Sequence, residues 1–179
     1  MGILDTIIDN HQQQSLAEFE LALIVQKILE PLRERERNIL IKRYGLQGNN
    51  VATLKVVGEE QGLTRERVRQ IEKELLNSLA KSAQNEQTFA TARDLILNSV
   101  IEHGGIMAEH RLLVFLNVNS PEETNAVKFL MNLITELSVL QQEEALKPAW
   151  ANLTFNKDFL NTFISEILKL FTAHNKPFT

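Results

Sequence analysis

The 179-residue sequence has no cysteine. That absence excludes a disulfide scaffold, a thiolate zinc site and a thiol nucleophile. Glycine and proline are sparse, at 7 and 4 residues. Long helices with short turns fit this better than a β-sandwich or barrel. The aromatics are nine Phe, one Tyr and one Trp. No apolar run approaches the length of a membrane span. No basic segment followed by an apolar one opens the chain, so no signal peptide is visible. Met1-Gly2 with Thr6 matches the loose myristoylation pattern, but Ile3, Leu4, Ile7 and Ile8 read better as the apolar side of a short helix. What is present is 44% apolar residues, enough to bury the core of one or two small domains. The expected compartment is the cytoplasm.

Net charge is −4, yet the distribution is uneven. Residues Pro31 to Ala83 hold 11 Lys/Arg against 7 Asp/Glu, a net of +4, and the rest holds 8 against 16, a net of −8. A basic module inside an acidic chain is the footprint of one segment that meets phosphate. A solvated helix face rich in Lys and Glu is the alternative source of such a run.

The periodicity predicts a helix from Ser15, as N-cap, to Glu30, with Leu16, Phe19, Leu23 and Ile28 or Leu29 near helical spacing. Pro31 ends it, and a second helix is expected over Leu32–Tyr44, closed by Gly45. Thr53 caps a short helix Leu54–Gln61, Gly62 breaks it, and Thr64 caps the next, Arg65 to about Lys81. Two short helices joined by a glycine-containing turn form a helix-turn-helix. Leu54, Val57 and Leu63 are expected to pack on Val68, Ile71 and Leu75. Polar residues Ser82–Thr88 read as a linker. Then follow a helix Phe89–His103, a strand at Ile106-Met107, a helix Glu109–Leu116, and a helix opened by Ser120-Pro121-Glu122-Glu123, a capping box with Pro at the first position. That helix carries Val127, Leu130, Met131, Ile134 and Leu137. Two short strands around a polar turn span Val139–Leu153. Helix, strand, helix, helix, hairpin is the order of a winged helix. A last helix covers Asp158–Ala173. Ile96, Leu97, Val100 and His103 align at one offset with Ile167, Leu168, Phe171 and His174. This weak repeat implies that a second winged helix begins there, so that the chain is a fragment of a longer protein, or that the last helix docks elsewhere.

The fold expected is mainly α: a helix-turn-helix domain followed by a winged-helix domain with a small β-hairpin wing. The units are 1–29, an N-terminal helical segment; 30–83, the helix-turn-helix; 84–88, the linker; 89–155, the winged helix; and 156–179, a further helix.

Around the helix after Thr64, Val68, Ile71, Leu75 and Leu79 fall on one side and Arg65, Glu66, Arg69, Gln70 and Lys73 on roughly the other. Two Arg, a Gln and a Glu in the first two turns are the side chains that read base edges in the major groove. Helix starts also gather phosphates through backbone N–H groups and the Thr53 and Thr64 hydroxyls. The alternative is a surface helix laced by intrahelical ion pairs. The four-apart pairs, Glu66 with Gln70 and Arg65 with Arg69, are not of opposite charge, which favours the DNA reading.

Pro31-Leu32-Arg33-Glu34-Arg35-Glu36, Leu40, Arg43-Tyr44-Gly45-Leu46, Thr53-Leu54, Val57-Gly58 and the run Thr64-Arg65-Glu66-Arg67-Val68-Arg69-Gln70-Ile71-Glu72 closely resemble region four of bacterial primary sigma factors, over about residues 29–81. That family's region binds the −35 promoter element and docks on the flap of the RNA polymerase β subunit. The resemblance implies that Arg65, Glu66, Arg69 and Gln70 read bases. It implies that Arg43, Thr53, Leu54 (through its backbone), Thr64 and Arg67, with Lys73 beside them, hold phosphates. Lys55-Val56 stand where the family usually has an acidic pair, and Leu75–Leu79 is more neutral than the family's basic helix end. No segment resembles the sigma region that melts the −10 element, so a role as a complete initiation factor is not expected. Residues 88–153 more faintly resemble HARE-type winged helices, as in the polymerase delta subunit. Their acidity (Glu102, Glu109, Glu122, Glu123, Glu136, Glu143, Glu144) leaves protein contact open beside DNA.

No metal, cofactor or small-molecule substrate is expected. His11, His103, His110 and His174 are isolated, and no Gly-rich phosphate loop or Ser/His/Asp set stands out. Two functions follow. One is a double-stranded DNA-binding transcription regulator reading a −35-like element, cytoplasmic and nucleoid-associated. The other is an RNA polymerase accessory protein acting through flap docking. Nothing supports an enzyme.

Overall fold

The computed structural model describes residues 21–140 and 148–173. The expected cap at Ser15, Leu16 and Phe19, the hairpin turn at 141–147, and the segment from His174 onward lie outside the described residues.

Helix α1 (Leu21–Leu29) buries Leu21, Ile24, Val25, Ile28 and Leu29 on one side. Helix α2 (Glu34–Tyr44) begins two residues later than expected. Leu32 donates its N–H to the Leu29 carbonyl in a turn at Pro31, which ends α1 before α2 can start. The corner is tied by Arg37. Its guanidinium donates to the carbonyls of Glu30 (2.7 Å), Leu32 (3.1 Å) and Leu29 (3.2 Å), placing a cation on acceptors that a helix C-terminus leaves unpaired. Glu36 accepts the Arg33 N–H at 3.2 Å, completing the start of α2. Gly45 closes α2 at φ +63°.

Helices α3 (Leu54–Gln61) and α4 (Arg65–Ala83) form the helix-turn-helix at the residues the sequence indicated. Thr53 Oγ1 accepts from the Val56 N–H and Thr64 Oγ1 from the Arg67 N–H. Gly58 faces the turn so closely that a Cβ there would lie 2.6 Å from the Leu63 carbonyl oxygen, so only glycine lets α3 approach the start of α4. Ile39, Val57 and Val68 are the buried centre of this unit, with Ala52, Leu54, Leu63 and Ile71 around them. Leu75, expected to join them, packs into the larger core instead. It lies a turn beyond Ile71, past the reach of the short α3.

Between α4 and α5 (Gln87–Glu102) the chain makes a turn at Gln84-Asn85, held by Asn85 and Glu86 N–H bonds to Ser82 and Ala83 carbonyls. The winged helix follows as α5, β1 (Ile106–Ala108), α6 (Glu109–Phe115), α7 (Pro121–Met131), β2 (Leu137–Leu140) and β3 (Ala149–Asn152). The sheet order is β1-β3-β2, antiparallel throughout, with Met107 and Val139 both opposite Trp150. Trp150 is buried in that central strand, as a packing residue. The α7 capping box is present, with Pro121 at the helix start. The helix stops at Met131, short of the expected Ile134 and Leu137. Asn132, Leu133 and Ile134 bond to carbonyls three residues back, a tighter turn that still buries Leu133 and Ile134 and delivers Leu137 to β2. Helix α8 (Lys157–Ala173) follows β3.

One apolar cluster joins both units. Leu21, Ile24, Leu40 and Leu46 share it with Leu75, Leu79 and Ala83 of α4 and with Phe89, Ile96, Phe129 and Leu130 of the winged helix. Helix α7 packs on α1 and α2. The Tyr44 and Phe129 rings meet edge-on at 5.2 Å, and Asn125 Nδ2 donates to the Gly45 carbonyl at 2.9 Å.

Candidate nucleic-acid interface

Helix α4 is fixed by Val68, Leu75 and Leu79, all buried. This anchoring leaves its first two turns clear. Arg65, Glu66, Arg67, Arg69, Gln70 and Lys73 are all exposed. The four side chains expected to read bases thus occupy one solvent-facing start of one rigid helix.

They are not idle. Glu66 accepts two bonds from the Arg69 guanidinium, at 2.6 and 2.9 Å, and Gln70 Nε2 reaches the same carboxylate at 3.4 Å. Arg67 Nη1 donates to Gln70 Oε1 at 3.3 Å. The hydrogen bond from Arg69 first, with the nearby Arg65 charge adding to it, holds the Glu66 carboxyl below the ordinary carboxylate range, and Glu66 in turn raises the Arg69 value. The expectation weighed only residues four apart, and the ion pair it left out is Glu66–Arg69. The pair is three apart, and residues three apart are helix neighbours as surely as those four apart. The spacing was readable in the sequence. The Arg65 and Lys73 side chains make no hydrogen bond among the described residues.

The residues expected on phosphates divide into two groups. Thr53 and Thr64 are exposed, and each oxygen accepts from its own helix, leaving the hydroxyl hydrogen to donate outward. Leu54 is half-buried at the first position of α3, where a helix N–H has no partner of its own. Arg67 is exposed. Arg43 is different. Its side chain is 22% exposed, lies 3.3 Å from Glu72 and donates to the Ala52 carbonyl. It bridges α2, the loop before α3, and α4. Beside it, burial first, then the nearby Glu72 charge, drives the Tyr44 hydroxyl well above its ordinary pKa. Sequence reading missed this Arg43–Glu72–Tyr44 group and the Arg37 and Asn125 contacts, because each depends on residues brought together from different elements.

Among the described residues no group of three or more His, Asp or Glu is placed to hold a metal ion, and no helix is long and apolar enough to cross a membrane.

Residues 28–81 match the family model described as Sigma-70, region 4. The chain is 38% identical over 81 residues to the RNA polymerase sigma factor RpoS of Coxiella burnetii, covering 44% of this chain and 23% of that protein. It is 40% identical over 63 residues to the RNA polymerase sigma factor SigA of Listeria monocytogenes, covering 35% of this chain and 17% of the relative. SigA of Listeria innocua gives the same figures. The chain therefore spans less than a quarter of the length of these relatives. With α3 and α4 in the geometry above, the stretch that matches the Sigma-70, region 4 model holds a helix-turn-helix.

Proposed function

We propose that this chain is a DNA-binding transcription regulator in which α4 enters the major groove of a −35-like promoter element. Arg65, Glu66, Arg69 and Gln70 contact base edges. Thr53, Leu54, Thr64, Arg67 and Lys73 contact phosphate, and Arg43 does so while staying bonded to Glu72. The observation that carries the reading is the exposed start of α4 on a buried apolar anchor. Exposed ion pairs contribute little to stability, whereas a bidentate Arg–guanine contact contributes more. Exchanging the Glu66–Arg69 pair for base edges is therefore favourable. No catalytic chemistry is part of this reading.

A second role is favoured by the relatives, whose printed names make them RNA polymerase sigma factors. In that role the chain associates with RNA polymerase, docking on the β flap, and the acidic HARE-like winged helix makes protein contacts.

Fluorescence anisotropy with a −35-like duplex and a scrambled duplex, over a salt series, tests the first reading. The expected result is preference for the site, weakening with salt, and a loss of about 1–3 kcal/mol of that preference in Arg65→Ala. Equal binding to both duplexes with no effect of Arg65→Ala would refute base reading. Capture of purified RNA polymerase would then decide the second role.

A further inference from the structure

Helix α8 carries its apolar residues as adjacent pairs four apart: Phe159-Leu160, Phe163-Ile164 and Ile167-Leu168. Phe159 and Phe163 stack at 6.3 Å, yet they are 67% and 54% exposed, and Leu170 is 63% exposed. At about 100° per residue, Asp158, Thr162, Ser165 and Lys169 step round to the opposite side. The Thr162 and Ser165 hydroxyls bond to carbonyls of their own helix. One face is uniformly apolar and the other uniformly polar, the pattern of a helix with one side covered.

The sequence repeat says which kind of face this is. At an offset of 71 residues, Phe89, Ala92, Ile96 and Ser99 of α5 correspond to Leu160, Phe163, Ile167 and Leu170. All four α5 residues are buried, and α5 packs on β1, β3 and α7. Their α8 counterparts are apolar without exception but include the exposed side chains above.

We propose that α8 pairs antiparallel with the α8 of a second copy of this chain, about a two-fold axis between Phe163 and Ile164. The three adjacent pairs are closed under that operation, with Leu170 lying beyond them: Phe163 lies opposite Ile164, Leu160 opposite Ile167, and Phe159 opposite Leu168. This is what an isologous contact demands, the same patch meeting itself. The pairs also lie along rows four residues apart, the ridges that interdigitate in common helix packing. A 17-residue helix is about 25 Å long. Two such faces bury roughly 1,000 Å² in total, at the lower limit for a specific interface. The expected dimer is therefore weak and concentration-dependent.

Sedimentation equilibrium of the full 179-residue chain, without DNA, tests the pairing independently of the promoter reading. Between about 1 and 100 μM the mass is expected to rise from 20.4 kDa towards twice that value. Phe163→Glu is expected to remain at 20.4 kDa, with the parent's unfolding midpoint when the two are compared at about 1 μM, where the parent is monomeric. Val114→Glu, at another exposed apolar residue, is expected to associate like the parent. A parent chain that stays monomeric at every concentration would overturn the proposal. So would association that survives Phe163→Glu. A midpoint lowered in Phe163→Glu at that low concentration would place the ring in the monomer's own packing, with the same consequence.

Discussion

The junction between the helix-turn-helix and the winged helix gives the sharpest test of how the two units are joined. Gly45 stands at φ +63°, and a Cβ there would lie 2.7 Å from Asn125 Nδ2, 2.9 Å from Val51 Cγ2 and 3.0 Å from the Asn49 carbonyl oxygen. Gly45→Ala therefore meets two penalties. The left-handed backbone disfavours a side chain by about 1–2 kcal/mol, and the new methyl pushes Asn125 off the Gly45 carbonyl, losing about 0.5–1.5 kcal/mol of hydrogen bond. The expected loss is about 1.5–3.5 kcal/mol. Asn125→Ala alone loses only the hydrogen bond, about 1 kcal/mol. In the double variant the bond is already gone and the clash with Asn125 is relieved, so the losses sum to about 1 kcal/mol less than additive. Urea unfolding of the four proteins measures the cycle. Additivity within about 0.5 kcal/mol would mean that α7 does not meet Gly45, and the account of a shared core would fail.

Tyr44 is the chain's one tyrosine, so tyrosinate absorbance reads it alone. Its raised pKa means that folding favours the neutral hydroxyl; that stability is present below about pH 10 and is lost as pH rises above it. Alkaline titration should show tyrosinate delayed past pH 10 and a stability decline that Tyr44→Phe abolishes; ordinary titration near pH 10 would contradict the burial against Glu72. Ser120→Ala should lose about 1 kcal/mol in thermal or urea unfolding by uncapping α7. Glu123, held below the ordinary carboxylate range by the Asn119 and then the Ser120 N–H groups, adds stability above about pH 4 that falls away in acid; a Glu123→Gln variant with an unaltered acid limb would remove it from that role. Phe129→Ala should lose about 3–5 kcal/mol, and an effect under about 1 kcal/mol would be incompatible with its burial beside Tyr44.

Local rules determined much of this protein from sequence. Thr53, Thr64, Ser120 and Pro121 mark helix starts, because a hydroxyl acceptor or a fixed φ acts within one turn. Gly45 and Gly62 mark helix ends for equally local reasons. The stripe Val68–Ile71–Leu75–Leu79 assigned the outer face of α4, since helical periodicity alone puts Glu66, Gln70 and Lys73 on the side away from it, with Arg65 and Arg69 on its flank. Tertiary structure decided the rest. Nothing in the spacing of Arg43, Tyr44 and Glu72 says that one half-buried group joins them, or that Asn125 closes on Gly45 across 80 residues. Helix α7 ends early because Leu133 and Ile134 are buried in a turn, and periodicity cannot distinguish a buried turn from a buried helix. The division between the two units also depends on where α4 points. Leu75, Leu79 and Ala83 continue one helical stripe past the helix-turn-helix, and only the packed chain shows that this stripe enters the core of the winged helix.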